Sequence, residues 1–370
     1  MISIEMLPAA HGDSLWIEYG SARETRRILI DGGPAHTYES ALQKRMKKLT
    51  PAEKRIFELM VVTHIDADHI DGALILLQDK DKNADMKFQV KEFWFNAWEQ
   101  LPKAERDTFA PLQGEFLGGL LTLDSTLKQV WNKSFNHAAV MVSEDKPLPV
   151  IKLAGGAQIT ILGPTIKELK RLQARWSSAI RDFSPGDANE AKKRLLERRE
   201  YKPPESAAVF ATPQVGTDRT PANGSSISFL LEHEGASLLL LGDAHAPTIA
   251  GSLKRLASDR SLSMLEFDAV KLPHHGSMGN VSKDWVGMIK CKRWLISTSG
   301  AVFGHPDIET AKLIAKLCPD PTFYCNYDTA TTRKLANNSD WSVVFPSQSK
   351  SSKQLGMCLP LKAKTSSKTA

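Results

Sequence analysis

The sequence predicts an α/β fold, and three observations support this prediction. Short apolar runs rich in valine, isoleucine and aromatic residues have the length and composition of β-strands. Amphipathic segments with apolar residues at every third or fourth position separate these runs, as in helices that connect the strands of one sheet. The chain has 370 residues, of which 42% are hydrophobic, so it can bury a large core.

The first hundred residues already alternate between strand and helix patterns. Ile2, Ile4 and Met6 occupy every second position, which is typical of a strand with one buried face. The elements predicted in this part are, in order, a β-hairpin at 2–33, an amphipathic helix at 36–50, a buried strand at 56–63, a helix that ends near Gln78 and a strand at 93–96.

Two segments interrupt this alternation, and a strand at 157–163 lies between them. We predict helices in both segments, 97–148 and 165–205. The second segment is strongly basic. Its cations, among them Arg194, Arg198 and Arg199, would suit an arm that grips phosphate groups. The alternative is a solvated helical hairpin with one packed face, which we favour because basic helices with interspersed glutamates are common protein surfaces.

The second half of the chain returns to strand and helix patterns. We expect a hairpin formed by 226–231 and 237–241, strands at 267–272, 293–298 and 321–325, and a helix at 308–317. Residues 347–370 are rich in serine and lysine. We predict that this tail is disordered, because it has too little apolar surface to bury.

The net charge is a weak guide to the binding partner. It is +6, and the tail at 347–370 accounts for +5 of it through five lysines and no acid. The body of the chain is therefore nearly neutral, so charge alone does not identify a nucleic-acid partner.

Composition also bears on the compartment. The four cysteines show no paired metal-ligand spacing and suit reduced thiols. The apolar runs are too short for a membrane span, and no signal-peptide pattern is evident at the start. We therefore predict a cytoplasmic protein without a membrane partner.

The segment from Thr63 to His69 carries four groups that can bind a metal directly behind the predicted strand at 56–63. In an extended loop, His64, Asp66 and Asp68 would point to one side. Imidazole and carboxylate ligands together suit zinc, manganese or iron. The alternative is that one aspartate merely caps the next helix. Capping requires one carboxylate and no histidine, so a metal site explains the pattern better.

The H-x-D-x-D-H spacing of this segment resembles the H-x-H-x-D-H signature of the metallo-β-lactamase superfamily, with Asp66 where most members carry histidine. More of the chain agrees with that family, in the family's order, over roughly residues 1–346. The matching stretches are His11–Ser14, Leu29–Gly33, Leu238–Asp243, Val270–Ser277 and Phe303–Pro306. Several of them resemble the nuclease domain of the ComEC DNA-uptake proteins in particular, and phosphorylcholine esterases share part of the pattern.

The resemblance implies one hydrolase domain over 1–346, folded as a four-layer αββα sandwich with helical insertions at about 97–148 and 165–205. It also implies two divalent metal ions. The first would bind His64 and Asp66, the second Asp68 and His69, and Asp243 would bridge both. Because Asp66 replaces the usual histidine, the site is richer in oxygen, which shifts the preference from zinc toward manganese.

The third ligand of the first metal differs from the family pattern. Most members place a histidine where this chain has Asn223. In the branch that the chain resembles, the His-His-Gly turn fills this place, which here implies His275 or its neighbour His274. His305 would then complete the second metal.

The catalytic residues implied in this way are Asp243, His275 and Lys271. A water that bridges two metals would act as the nucleophilic hydroxide. Lys271 would contact a phosphate or simply cover the end of its strand. Asp13 and Asp31 would orient the ligands or bind the metal.

Three functions are compatible with these residues. The first is a phosphodiesterase that cleaves DNA or RNA, and the second is a hydrolase of a small phosphodiester or other ester. The third is a metal-stabilised binding module without catalysis, suggested only by Asn223 and disfavoured by the complete ligand set. A serine hydrolase is disfavoured because no Gly-x-Ser-x-Gly elbow is present.

Overall fold

Two β-sheets pack face to face in the computed structural model, with helices on both outer faces. The structure describes residues 1–21, 23–49, 55–102, 112–176, 184–197, 216–346 and 355–361. The larger sheet has eight strands and the smaller one has six, and two short two-stranded sheets accompany them. The prediction of an α/β sandwich with helical insertions is therefore confirmed.

The six-stranded sheet, which we call sheet 1, has the order β18-β1-β2-β3-β5-β7. Its strands are β1 (Ile2–Met6), β2 (Leu15–Gly20), β3 (Thr25–Ile30), β5 (Leu59–Val61), β7 (Phe93–Trp94) and β18 (Met357–Leu361). The pairs from β18 to β3 are antiparallel, and those from β3 to β7 are parallel. Strands β4 (Ile56–Phe57) and β6 (Gln89–Val90) form a separate parallel pair.

The eight-stranded sheet, sheet 2, has the order β17-β16-β15-β13-β11-β10-β9-β8. Its strands are β8 (Val150–Lys152), β9 (Gln158–Gly163), β10 (Ser228–His233), β11 (Ala236–Leu240), β13 (Ala269–Lys271), β15 (Arg293–Ile296), β16 (Thr322–Cys325) and β17 (Ser342–Val344). The strands from β11 to β17 run parallel. Strands β12 (Leu265–Glu266) and β14 (Ile289–Lys290) form the last short pair.

The helices cover the two outer faces. They are α1 (Gln43–Lys47), α2 (Ala67–Lys82), α3 (Leu112–Leu123), α4 (Ser125–Val130), α5 (Ile166–Trp176), α6 (Ala188–Glu197), α7 (Pro221–Gly224), α8 (Ala246–Asp259), α9 (Lys283–Val286), α10 (Ile308–Leu317) and α11 (Ala330–Arg333). The helix predicted at 36–50 begins as a π-helical turn at Tyr38–Leu42 and continues as α1.

The alternation of side chains along each strand divides the core into layers. In β2, Ile17 faces the core between the sheets, while Trp16 faces the helices outside sheet 1. Phe229 of β10 meets Trp94 of β7 across the interior, with ring centroids 5.9 Å apart. Leu74 of α2 packs on the outer face of sheet 1. The strand ends of both sheets therefore lie close enough to share one site.

The second insertion is packed against the first. Trp176 of α5 is fully buried and donates from its indole nitrogen to Glu115 of α3 at 2.7 Å. Leu195 of α6 is buried as well, and Arg194 Nε lies 2.8 Å from Glu190 Oε1 on the same helix. These contacts agree with a helical hairpin that has a packed face. The other two arginines of the predicted arm, at 198 and 199, lie outside the described residues.

The prediction of a disordered tail is wrong for Met357–Leu361, which form β18 and pair antiparallel with β1. Met357, Leu359 and Leu361 alternate and are buried in the core between the sheets. The peptide nitrogens of Leu355 and Gly356 donate to Glu5 Oε1 at 2.6 and 3.0 Å. Three apolar side chains at every second position are enough for an edge strand, although the surrounding lysines mask them in composition. The rest of the tail lies outside the described residues.

Within the described part of the chain, no helix is both long enough and apolar enough to cross a membrane.

Candidate metal centre

The polar side chains of the candidate site follow the ends of three strands, β5, β11 and β13, and lie close together. The loop after β5 carries His64 and Asp66, and α2 begins at Ala67 and carries the next two donors. Asp243 follows β11, and the turn at Pro273–Gly276 follows β13. Strands β11 and β13 are parallel neighbours, so the residues that follow them meet at the same edge of sheet 2.

Asp243 lies at the middle of the cluster. Its Oδ2 is 3.4 Å from His69 Nε2 and 3.9 Å from the Nε2 atom of each of three other histidines, His64, His274 and His275. Asp243 is 2% exposed, so this carboxylate is enclosed by imidazoles rather than by water.

The donors divide into two groups that share Asp243. In the first group, His64 Nε2 lies 3.5 Å from Asp66 Oδ2, and His274 approaches from the other strand end. In the second group, Asp68 Oδ2 lies 3.4 Å from His275 Nε2 and 3.8 Å from His69 Nε2. Asp66 stands at the N-terminus of α2 without a side-chain capping hydrogen bond, so the capping alternative does not explain it.

The other ring nitrogen of each histidine has its own partner. His69 Nδ1 lies 2.8 Å from Asp31 Oδ2, and His275 Nδ1 lies 2.8 Å from the Ser297 carbonyl oxygen. His64 Nδ1 lies 3.0 Å from the Thr63 hydroxyl. Such partners fix the ring orientation and leave Nε2 directed at the centre, as in ligating histidines.

His274 and His275 both belong to the cluster, although the sequence left open which of them would. Their backbones are left-handed, with φ of 45° and 56°, a conformation that is costly without glycine. Gly276 follows with φ of 89°. This tight turn sends the two adjacent side chains to different groups.

The contacts of His305 differ from those expected for the second donor group. Its Nδ1 lies 3.3 Å from Asp307 Oδ1, and its ring centroid lies 5.3 Å from that of His274. Among the contacts of the described residues, His275 and not His305 approaches Asp68 and Asp243. The reason is the turn after β13, which already delivers a histidine to the second group.

Lys271 also differs from its predicted role. The side chain is fully buried, and its Nζ lies 2.7 Å from Asp13 Oδ2 and donates to the Leu272 carbonyl oxygen at 3.0 Å. Asp13 Oδ1 lies 3.6 Å from His275 Nδ1. A buried ammonium needs such a partner. Lys271 is therefore paired with Asp13, which lies between it and His275, and its side chain has almost no exposed surface.

Asn223 contacts Asp218 and His274 rather than the carboxylate of Asp243. Its Nδ2 donates to Asp218 Oδ2 at 2.8 Å, and it lies 3.5 Å from His274 Nδ1. Asp218 and Asn280 complete this network, and neither was predicted from the sequence. The Asp-x-Thr-Pro pattern at 218–221 is a recognisable helix start, but nothing in the sequence connects it to a histidine 56 positions later.

The enclosed polar atoms fit divalent cations. His64 Nε2, His69 Nε2, His275 Nε2 and Asp243 Oδ1 are buried and have no hydrogen-bond partner. Unpartnered buried atoms of this kind are costly, and a cation bound among them would satisfy all four. Two clusters, His64 with His69 and Asp243, and Asp68 with His69 and His275, have donor atoms within 4.8 Å of one another.

The charges within the cluster lead to the same conclusion. Burial opposes ionisation of Asp243, yet His69, His275 and His274 hold the pKa of its carboxyl well below its usual range. Burial likewise acts to lower the pKa of His275, but Asp243 and Asp13 raise it to about 9. The carboxylates therefore hold positive charge in this place, and metal cations would replace the imidazole protons.

Gly12 allows the turn at His11–Ser14 to pack directly against the backbone of Asp68. A Cβ atom at Gly12 would lie 1.8 Å from the Asp68 carbonyl oxygen. Only glycine permits this close approach, and it brings Asp13 behind His275.

The comparisons with known proteins find a distant structural likeness only. No family model and no curated protein matches the sequence. Eighteen chains of solved structures match. One is the crystal structure of the metallo-beta-lactamase fold protein YhfI from Bacillus subtilis, which is 11% identical with a TM-score of 0.42 and covers 97% of this chain and 98% of that one. At this TM-score, the fold assignment rests on the layers and strand order of the present chain.

Proposed function

We propose that the protein is a metal-dependent hydrolase that cleaves phosphodiesters, with nucleic acid as the substrate. One observation carries the proposal: the Asp243 carboxylate stands between two groups of histidines and aspartates, and the Nε2 atoms of the four histidines converge on it. A shared carboxylate between two donor groups is the arrangement that two-metal phosphodiesterases use.

The residues of each group would have separate tasks. His64, Asp66 and His274 would hold one divalent ion, Asp68, His69 and His275 the other, and Asp243 would fix their separation. Bound ions would supply Lewis acidity to the phosphoryl oxygens of a displacement. The site is open at Asp66, whose side chain is 42% exposed, so a substrate would approach from this side.

An aromatic rim beside the first group favours a substrate with bases. Phe303 is partly exposed, and its ring centroid lies 6.5 Å from that of His274 and 5.7 Å from that of His11. Unpaired bases stack on such rings, at about 1–3 kcal/mol per base. A single-stranded or frayed nucleic acid therefore suits the rim better than a rigid duplex.

The nearly neutral body favours the second candidate, a hydrolase of a small phosphodiester or other ester. Most of the net charge of +6 lies in the lysines of 347–370, so the body offers little long-range attraction to a polyanion. The metal centre would serve both candidates equally.

The experiment measures hydrolysis and bound metal in parallel. Purified protein with Mn²⁺ or Zn²⁺ is tested on bis-nitrophenyl phosphate and on single- and double-stranded DNA and RNA at low salt. Asp243→Asn is expected to abolish hydrolysis and remove most of the metal, since the substitution removes the charge that both groups share. Asp259→Asn, an exposed position on α8, is the matched control and is expected to behave as the wild type.

Other outcomes separate the candidates. Cleavage of the small ester without any cleavage of DNA or RNA would replace the nuclease proposal with the small-ester candidate. Fully active protein with one metal per chain would contradict the two-metal arrangement. Metal-loaded protein that cleaves none of these substrates would exclude the phosphodiesterase itself.

A further inference from the structure

Asn280 is fully buried beside His274, and both polar atoms of its side chain have partners. Its Nδ2 donates to Asp218 Oδ2 at 2.9 Å and to the carbonyl oxygens of Asp243 and Ala244 at 3.0 and 3.3 Å. All three partners can only accept, so the amide NH₂ group must point toward them. The amide oxygen is thereby directed at His274 Nδ1, which lies 2.9 Å away.

The orientation of this amide decides which nitrogen of His274 carries the proton. Oδ1 of Asn280 can only accept, so His274 Nδ1 must donate to it. A second oxygen, Asp218 Oδ2, lies 3.6 Å from the same Nδ1 and favours the same tautomer. The lone pair is then on Nε2, which lies 3.9 Å from Asp243 Oδ2.

Asp218 holds Asn280 in this orientation. One of its oxygens accepts from the backbone nitrogen and the hydroxyl of Thr220, both at 2.9 Å. The other accepts from Nδ2 of Asn223 at 2.8 Å and of Asn280 at 2.9 Å. Four donors surround one carboxylate, so an ionised aspartate fits this position and a neutral amide does not. His245 Nε2 lies farther off, at 3.8 Å from Oδ1.

We propose that Asn280, held by Asp218, is a positioning residue that gives His274 the Nδ1–H tautomer and so directs the Nε2 lone pair to a cation. The same amide holds the backbone of Asp243, so it places two donors of the first group at once. The proposal rests on the proposed metal centre and adds a role for residues that do not touch the metal. It also gives Asn223 a role, since Asn223 shares the Asp218 carboxylate with Asn280.

The test uses variants of the full chain in which volume changes little. Asn280→Leu removes both hydrogen-bonding functions, whereas Asn280→Asp keeps an acceptor for His274 and loses the donors. Asn96→Leu is the matched control, because Asn96 is also buried and bridges the backbone of Val140 through its Oδ1 and Nδ2 at 2.8 and 2.9 Å.

Two measurements are made on each variant. Nitrogen-15 NMR of histidine-labelled, metal-free protein reports the tautomer of His274, assigned by comparison with His274→Gln. Titration with Mn²⁺ or Zn²⁺ reports the number and affinity of the bound ions.

We expect the wild type and Asn280→Asp to show the Nδ1–H tautomer and Asn280→Leu to lose it. In Asn280→Leu, the affinity for one of two ions is expected to fall about 10- to 100-fold, as is usual when a partner of a ligating histidine is removed. Asn96→Leu is expected to change neither the tautomer nor the affinity.

The proposal is overturned if Asn280→Leu keeps the Nδ1–H tautomer and binds both ions within twofold of the wild type. It is equally overturned if Asn96→Leu has the same effect as Asn280→Leu, since the loss would then reflect general destabilisation. Failure of the wild type to bind any metal would refute the proposed metal centre, while the NMR measurement would still decide the tautomer.

Discussion

His275 stands in the second donor group, where the sequence predicted His305. We expect His275→Ala to lose the metal of this group, because its Nε2 lies between Asp68 and Asp243. We expect His305→Ala to retain both metals, since His305 contacts Asp307 and the ring of His274 instead. Elemental analysis of the purified variants measures the difference.

His305→Ala serves as the matched control, because it also removes an imidazole near the centre. Equal loss of metal in the two variants would show that His305 is a ligand and that the present grouping is wrong. Circular dichroism of both variants confirms that each is folded.

The residues that the sequence predicted well are those whose donors lie close together in the chain. His64 to His69 span six positions behind one strand, so local spacing alone brings them to one place. Asp218 and Asn280 lie 62 positions apart, and neither belongs to a pattern that connects them. Lys271 was placed at the correct strand end. Its partner carboxylate, Asp13, comes from the loop between β1 and β2 of the opposite sheet, and no local sequence pattern shows this contact.

At the scale of elements, Glu115 of the first helical insertion forms hydrogen bonds with the second insertion. It is 3% exposed and accepts from Trp176 Nε1 at 2.7 Å and from the Gly186 nitrogen at 2.9 Å. Burial raises the pKa of its carboxyl from 4.5 to about 7. The folded state therefore binds more protons than the unfolded state between these two values.

The free energy of unfolding is expected to fall as the pH rises from about 4.5 to 7 and to level off above. The loss is about 3 kcal/mol for a shift of this size. Glu115→Gln is neutral throughout and is expected to flatten this part of the curve, measured by urea unfolding at several pH values. Glu144→Gln, at an exposed position, is the control and should leave the slope unchanged. An unchanged slope in Glu115→Gln would mean that Glu115 does not titrate in this range.

Strong periodicity made most elements predictable, and weak periodicity accounts for the ones that were missed. Edge strands β8 and β17 expose two of their three residues each, so they lack a clear buried face. Helix α8 begins at Ala246-Pro247 and contains several small residues, although Ile249, Leu253 and Leu256 line its buried side. Proline in the first turn is compatible with a helix, but it looks like a break when only the sequence is read.

At the scale of the molecule, removal of residues 355–361 should destabilise the protein far more than removal of residues 362–370. A chain that ends at 361 loses three lysines and no described strand. Its melting temperature should change little. Under the proposed function, its affinity for nucleic acid should fall modestly with a weaker dependence on salt.

A chain that ends at 354 also loses β18, with three buried apolar side chains. At about 1.5–3 kcal/mol for each, this loss approaches the whole stability of a typical domain. Thermal unfolding of the two truncated chains measures the contrast, and equal melting temperatures would show that β18 contributes nothing to stability.

The pairing of β18 with β1 also constrains how the protein can be made. Leu355 and Glu5, which are in hydrogen-bonding contact, are 350 positions apart. On the ribosome, β1 therefore emerges long before its partner strand. Until residues 357–361 emerge, the outer edge of β1 has unpaired peptide groups and can pair with a strand of another nascent chain. We therefore expect folding to depend on chaperones during translation. We also expect it to be sensitive to any fusion that delays or blocks the pairing of residues 357–361.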